Sequence, residues 1–206
     1  MATACPSDGE RRLRQLIEPL CGARAAAIAA ALTADFGSLP TLLRSSRATL
    51  AQHLPGELAL VELLVAVRPL VSQLLLAEML DGPVLPDIKA ALDYLCVTLA
   101  HETAELVHAL FLDAKNRVLA EETIARGSIT KVDLFPREIV RRALELGATG
   151  LILAHNHPSG DPEPSRSDLL ATRAVAEAAR LFDLDLHDHI IIGRSGYVSL
   201  RAAGYL

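Results

Sequence analysis

The C-terminal part of the chain alternates between strand-like and helix-like patterns of hydrophobic residues. TGLILAHNH (149–157) begins as an unbroken apolar run, which is typical of a strand buried on both faces. Two apolar runs, LVHALFLDA (106–114) and RVLAEETIA (117–125), are joined by Lys115-Asn116 and predict a hairpin. The other predicted elements are helices at 136–146 and 165–182 and strands at 184–193 and 197–200. This order of elements predicts an α/β or α+β domain whose sheet is covered by helices.

The N-terminal part has a helical pattern throughout. Gly9–Leu20 and Ala23–Leu32 are roughly amphipathic, and FGSLP and LPGE interrupt the pattern further on. A long apolar helix begins at Glu57, and we expect it to kink or stop at Pro69. DGPVLPD (81–87) is the clearest linker, and one more helix is expected after it, from Ile88 to Ala100. The predicted domains are a small all-helical one at 1–82 and the α/β one at 83–206.

Composition and charge narrow the classes of function. Hydrophobic residues make up 51% of the chain and aromatic residues only 3%, so the core is expected to consist of Ala, Val, Ile and Leu. The net charge is −5, and neither part is basic: residues 1–82 carry seven Arg and no Lys against eight acids. Broad electrostatic attraction to nucleic acid is therefore not expected.

The cysteines and the apolar segments point to a cytoplasmic protein. Cys5, Cys21 and Cys96 are scattered and odd in number, which argues against a disulfide framework and fits a reducing compartment. The N-terminus lacks the apolar core of a signal peptide. The most apolar segment, Glu57 to Leu80, contains charged residues and a proline, so no membrane span is expected. That segment fits packing inside the chain or against a second copy in a homo-oligomer.

AHNHPSGDPEPSRSD (154–168) carries the candidate chemistry. Alternate residues of a strand share a face, so His155 and His157 project to the same side at the end of a buried strand. Asp168, in the first turn of the next helix, could reach the same ion. Two histidines and one carboxylate form a familiar catalytic zinc set that leaves a position for water. Zinc is the favoured metal because the donors are nitrogen and oxygen, and iron is the second choice.

Several nearby residues have plainer interpretations. Ser165 fits the N-cap of the helix that follows Pro164, in a variant of the capping box, and a cap does not exclude a second role. Asp161 and Glu163 lie on a Pro/Gly-rich loop and are expected to be solvated. A second pair, His187 and His189, also shares a strand face, but no spaced serine and acid follow it. We interpret that pair as structural.

The stretch H-N-H-P-S-G-D-P-E-P-S-R-S-D fits H-x-H-x7-S-x2-D, the JAMM signature of the MPN+ (JAB) metallopeptidases. Three further segments resemble the RadC-like branch of that family, the bacterial UPF0758-like proteins. They are FLDAKNRVLAEETIARGSI, FPREIVRRALELGA and DHIIIG. The resemblance covers about residues 84–206. It implies the cytidine deaminase-like MPN/JAB fold, a mixed sheet flanked by helices.

The resemblance also implies roles for individual residues. His155, His157 and Asp168 would hold one zinc ion per chain, and Ser165 would stabilise the oxyanion of the tetrahedral intermediate. The family needs an upstream glutamate as general base and later proton donor. Glu105 has the expected spacing, with Glu122 and Glu102 as alternatives. The implied activity is hydrolysis of a peptide or isopeptide amide bond in a substrate that the sequence does not identify.

The N-terminal part resembles its family counterpart only weakly. RadC-like proteins usually carry a helix-hairpin-helix-like region there, with a Gly-x-Gly turn whose amides could meet a phosphate. In LPGELAL, Gly56 remains but Leu58 occupies the second glycine position, so this region is expected to pack or recruit rather than bind DNA. Two alternative functions stay open: a DNA-associated or repair-related binding protein, and a non-catalytic MPN scaffold.

Overall fold

The computed structural model describes residues 7–127, 135–194 and 196–206. It divides into two compact units, Met1–Val71 and Ser72–Leu206. The predicted domain division between residues 82 and 83 stays a prediction. Neither of the described cysteines, Cys21 and Cys96, forms a disulfide, while Cys5 lies outside the described residues.

The first unit is helical, as the pattern predicts. Its elements are α1 (Asp8–Cys21), a 3-10 helix (Gly22–Arg24), α2 (Ala25–Phe36), α3 (Leu39–Leu43), α4 (Arg47–His53) and the first part of α5 (Leu58–Leu80). Serine side chains cap three of these helices. The core consists largely of leucine and alanine. Gly56, in the turn before α5, has a positive φ of 79°, which favours glycine, and Leu58 begins the helix.

Helix α5 continues through Pro69, so it does not stop at that residue, and the alternative of a kink there stays a prediction. Proline's fixed φ is compatible with a helix, and its missing N–H removes one backbone hydrogen bond.

Two helical stretches are long and apolar enough to cross a membrane by length and composition alone. They are Asp8–Phe36 and Leu58–Leu80, with mean hydropathies of 1.4 and 1.8. Core helices of soluble proteins meet the same criterion, and α1 and α2 supply Leu13, Ile17 and Leu32 to the core of the first unit. The absence of a membrane span stays a prediction.

The second unit contains a five-stranded mixed sheet. Its elements after α5 are α6 (Lys89–Leu99), β1 (Leu106–Leu112), β2 (Val118–Arg126), α7 (Pro136–Leu146), β3 (Gly150–Asn156), α8 (Arg166–Arg180), β4 (Asp185–Ile192) and β5 (Tyr197–Ser199). The strand order is β2-β1-β3-β4-β5, in which β3 and β4 are parallel and the other neighbours antiparallel. The predicted α/β class, with helices flanking a mixed sheet, is confirmed.

The sheet has a hydrophobic core on each face. Ile152 and Ala154 of β3 pack in the core that includes α6, whereas Leu151 and Leu153 pack in the core that includes α7 and α8. All seven residues of β3 are buried, as the unbroken apolar run predicts. Because side chains alternate along a strand, His155 continues the row that faces α8, and Asn156 continues the row that faces α6.

Candidate metal centre

Four side chains from separate elements converge beside the N-terminus of α8. Glu105 directly precedes β1, His155 lies near the end of β3, His157 follows that strand, and Asp168 is in the first turn of α8. Each offers one ligand atom, and these atoms all lie within 4.8 Å of one another. The structure therefore brings together the three predicted metal ligands and the preferred glutamate.

The distances within the group match a tetrahedral cation site. The Nε2 atoms of His155 and His157 are 3.0 Å apart. The Asp168 carboxylate lies 3.6 Å from Nε2 of His155 and 3.3 Å from Nε2 of His157. Ligands held at zinc-nitrogen distances around a tetrahedral ion are roughly 3.3 Å apart. His155, His157 and Asp168 thus have a spacing and a set of nitrogen and oxygen donors that could hold a metal ion.

A backbone carbonyl orients His157. Its Nδ1 lies 2.8 Å from the carbonyl oxygen of Asp161, which can only accept, so Nδ1 donates the hydrogen. In the neutral ring Nε2 is then unprotonated and faces the group. The side chains of Asp161 and Glu163 lie on exposed residues, as predicted, but the sequence interpretation missed this role of the Asp161 backbone.

Close backbone packing holds the loop that carries His157. A Cβ at Gly193 would lie 2.4 Å from the Gly160 carbonyl oxygen and 2.8 Å from Pro162, so only glycine fits there. The backbone N–H of His157 donates to the carbonyl oxygen of Ile192 at 2.9 Å. The backbone N–H of Arg194 donates to the carbonyl oxygen of Gly160, also at 2.9 Å. The end of β4 therefore fixes the position of the loop.

Asn156, between the two histidines, binds the segment that carries Glu105. It is 1% exposed, and its Oδ1 accepts from the backbone N–H of Leu106 at 2.8 Å. Its Nδ2 donates to the carbonyls of Glu102 and Ala104 at 3.2 and 3.0 Å. The sequence interpretation missed this residue, although an asparagine at the end of a strand expected to be buried is a signal that could have found it.

Ser165 and Asp168 form a reciprocal capping box at the start of α8, so the predicted cap is present. The Asp168 N–H donates to Oγ of Ser165 at 3.2 Å, and the Ser165 N–H donates to Oδ2 of Asp168 at 2.7 Å. The cap fixes the Asp168 carboxylate in the direction of the histidines. Ser165 is exposed, and its Oγ lies 2.8 Å from that of Ser167.

Burial and mutual contacts shift the protonation of the group. Burial lowers the pKa of His155 to about 4, which keeps its imidazole neutral. The hydrogen bond to Asp168 raises the pKa of His157. Burial alone would raise the pKa of Asp168, but hydrogen bonds from His157 and Ser165 outweigh it and hold that pKa well below its usual range. Burial, and then the charge of Asp168, raises the pKa of Glu105.

The other candidate glutamates lie elsewhere. Both carboxylate oxygens of Glu122 accept from Nε of Arg142, at 3.0 and 2.9 Å. Glu121 pairs with His108, and the four-residue group does not include Glu102. Among the described residues, Glu105 is the glutamate that joins the two histidines and Asp168.

The structure separates the histidine pair of β4. His187 lies against Gly150 and outside the group. His189 is fully buried, and its Nε2 lies 2.8 Å from Nδ1 of His155. Burial, and then the neighbouring His155, lowers the pKa of His189 well below its ordinary value. His189 thus contacts a candidate ligand, which its interpretation as merely structural missed.

Comparison with known proteins gives the same family as the motifs. The family model described as the RadC-like JAB domain matches residues 85–205. The chain belongs to the RadC-like JAB family. It is 43% identical over 171 residues to a UPF0758 protein of Rhodobacter capsulatus, an alignment that covers 83% of this chain and 80% of that relative. The matched domain contains every residue of the four-residue group, so the RadC-like JAB domain carries the candidate metal centre.

Proposed function

We propose that this RadC-like JAB protein is a zinc-dependent hydrolase of the JAMM type, which cleaves a peptide or isopeptide amide bond. The observation that carries the proposal is the convergence of Glu105, His155, His157 and Asp168 within 4.8 Å. His155, His157 and Asp168 would hold one zinc ion per chain. Iron also accepts two histidines and a carboxylate and is the second choice. We also propose a cytoplasmic location, which the scattered and odd-numbered cysteines of the sequence support.

A zinc ion bound there would supply a Lewis acid that lowers the pKa of water and polarises a carbonyl. Glu105 then takes the proton of the attacking water and passes it to the leaving amine. Its raised pKa suits both steps, because a proton carrier works best when its pKa approaches the working pH. The partly buried position of Glu105 produces that shift.

Ser165 would donate a hydrogen bond to the oxyanion of the tetrahedral intermediate. The cap uses its Oγ as an acceptor from the Asp168 N–H, so the hydroxyl hydrogen stays available to a substrate oxygen or to Ser167. The capping role and the proposed role are therefore compatible.

Neither alternative function gains support from a specific observation. A scaffold that had lost catalysis would be attractive if Glu105 pointed away from the ligands, but its carboxylate lies among them. A DNA-binding role would be favoured by a basic surface, and the net charge is −5.

Zinc content and hydrolysis of a broad peptide panel test the proposal together. We expect about one zinc per chain by elemental analysis and loss of zinc in the His155→Ala/His157→Ala double variant. Glu105→Gln should keep zinc but lower kcat by about 10²–10⁴-fold, because the proton carrier is gone.

Glu122→Gln makes the same change at a carboxylate paired with Arg142 and is the matched control, expected to keep both zinc and activity. The proposal is wrong if the wild type binds no metal. It is also wrong if the zinc-loaded protein hydrolyses nothing in the panel.

A further inference from the structure

A chain of three hydrogen bonds runs behind the metal centre, from His155 to the backbone of Asp168. Nδ1 of His155 lies 2.8 Å from Nε2 of His189. Nδ1 of His189 lies 2.6 Å from Oγ1 of Thr172, which lies 2.6 Å from the carbonyl oxygen of Asp168. His189 and Thr172 are 0% and 1% exposed, so these bonds are shielded from water. The chain connects two of the candidate ligands through residues that are not ligands.

The carbonyl oxygen at the end of this series of hydrogen bonds determines which atom donates and which accepts in each of them. A carbonyl oxygen can only accept, so the Thr172 hydroxyl donates to Asp168. Oγ1 of Thr172 has then used its hydrogen and accepts from Nδ1–H of His189. A neutral His189 has one N–H, so its Nε2 accepts from Nδ1–H of His155. Nε2 of His155 is consequently left unprotonated.

The unprotonated atom is the one that faces the group. Nε2 of His155 lies 3.0 Å from Nε2 of His157, which is likewise unprotonated when that ring is neutral, because Nδ1–H of His157 donates to the Asp161 carbonyl. Two nitrogen lone pairs facing each other at that distance repel unless a cation or a proton lies between them. If the chain ran in the opposite direction, Nε2 of His155 would carry hydrogen and could not bind a metal.

We propose that His189 and Thr172 are positioning residues that fix the tautomer of His155 so that its Nε2 is prepared to bind the metal. The inference rests on the proposed metal site. Thr172 lies one helical turn after Asp168, so the same series of hydrogen bonds also holds the backbone of Asp168, a second proposed ligand. Hydrogen bonds of this kind to a ligand's far nitrogen orient the ring and raise its basicity.

Zinc affinity, measured by competition with a chromogenic chelator, tests the role of His189. His189→Phe keeps the ring shape but gives Nδ1 of His155 no acceptor, and we expect the zinc Kd to rise about 10–100-fold. His187→Phe is the matched control, because it makes the same change two residues away on β4, outside the group, and should leave the Kd unchanged. Equal zinc affinity in the His189→Phe and His187→Phe proteins would overturn the proposal.

Two substitutions at Thr172 separate the hydroxyl from the packing. Thr172→Val keeps the shape and removes the hydroxyl, which should weaken zinc binding by about 5-fold or more. Thr172→Ser keeps the hydroxyl and should restore an affinity close to that of the wild type. The opposite result, weaker zinc binding in Thr172→Ser and wild-type binding in Thr172→Val, would show that Thr172 acts through the packing of its methyl group. That result would contradict the proposal.

The tautomers themselves can be read in the unaltered protein. Long-range ¹H–¹⁵N NMR spectra of the imidazoles should show the hydrogen on Nδ1 of His155 and of His189. Hydrogen on Nε2 of either residue in the zinc-loaded protein would overturn the inference, even if zinc binding and hydrolysis were found. Conversely, a wild-type protein with the expected tautomers and no affinity for zinc would defeat the proposed function instead.

Discussion

At the scale of single residues, Ser165 carries a role that is visible and a role that is proposed. Its side chain caps α8, and we propose that its hydroxyl also donates to the oxyanion. Both roles use the same oxygen, so one substitution that removes it lowers stability and catalysis together. Alanine is a poor N-cap and glycine a fairly good one, so comparing the two variants separates the effect on stability from the effect on catalysis.

Ser165→Ala should cost about 1 kcal/mol of unfolding free energy, whereas Ser165→Gly should cost only a few tenths. Because both variants lack the hydroxyl, both should lower kcat by about 10²–10³-fold. Urea unfolding of the metal-free proteins and kcat on a peptide substrate provide the two measurements. A Gly variant with wild-type kcat would assign Ser165 to the cap alone.

The sequence predicted which candidate ligands would lie together but not the contacts that support them. His155, His157 and Asp168 are close in the chain, so one strand, one loop and one helical turn bring them together. His189 reaches His155 only because β3 and β4 pair in parallel, with Leu153 opposite His189. A register between strands is a long-range property, and periodicity within one strand does not contain it.

At the scale of elements, the end of β3 sends side chains to both faces of the sheet. His155 faces the metal centre, while Asn156 makes three hydrogen bonds to the backbone of residues 102–106 on the other side. Glu105 lies within that segment. Strand β3 thus connects the proposed ligand His155 to the segment that carries the proposed proton carrier, Glu105.

Asn156→Asp should therefore lower kcat while leaving zinc content at about one per chain. The carboxylate cannot donate, so it would face the carbonyls of Glu102 and Ala104 and displace the segment that holds Glu105. A displacement of about 1 Å can reduce a rate by about 10²-fold. Asn116→Asp, the same change in the β1–β2 turn, is the control. Loss of zinc in the Asn156 variant would instead mean that Asn156 supports the ligands.

The hydrophobic pattern predicted the longer elements well because each buries a continuous face. The strands and helices from residue 88 onward appear in the predicted order. The hydrophobic pattern predicted a helical region there but did not predict α3 and α4 as separate short helices. Each is only a turn or two long and depends on a serine cap, so periodicity carries little signal for them.

At the scale of the whole molecule, the candidate centre is contained in one of the two compact units. Its four members and the residues behind them all lie within Ser72–Leu206. The proposed role of the helical unit, packing or recruitment, is thus separate from assembly of the centre. The exposed leucines of α5 (Leu58, Leu70, Leu74 and Leu80) remain consistent with the proposed packing against a second copy.

The buried histidines connect the centre to the stability of the whole chain. Burial lowers the pKa of His155 from 6.5 to about 4 in the folded protein. Between those values the unfolded chain binds a proton at this residue and the folded chain does not. Folding stability must therefore fall as the pH falls through this window. His189, whose pKa is also lowered by burial, acts in the same direction.

We expect His155 to contribute about 3 kcal/mol to the difference in metal-free stability between pH 7 and pH 4. The raised pKa values of His157 and Glu105 act in the opposite direction, so the useful quantity is a difference between proteins. Urea unfolding at several pH values should show a shallower loss of stability in His155→Phe than in wild type. His53→Phe makes the same change at an exposed histidine of the first unit and is the matched control. Parallel curves for His155→Phe and wild type would mean that folding does not lower the pKa of His155 from its unfolded value. Below that pKa the imidazole would have to lose a proton before it could bind a metal.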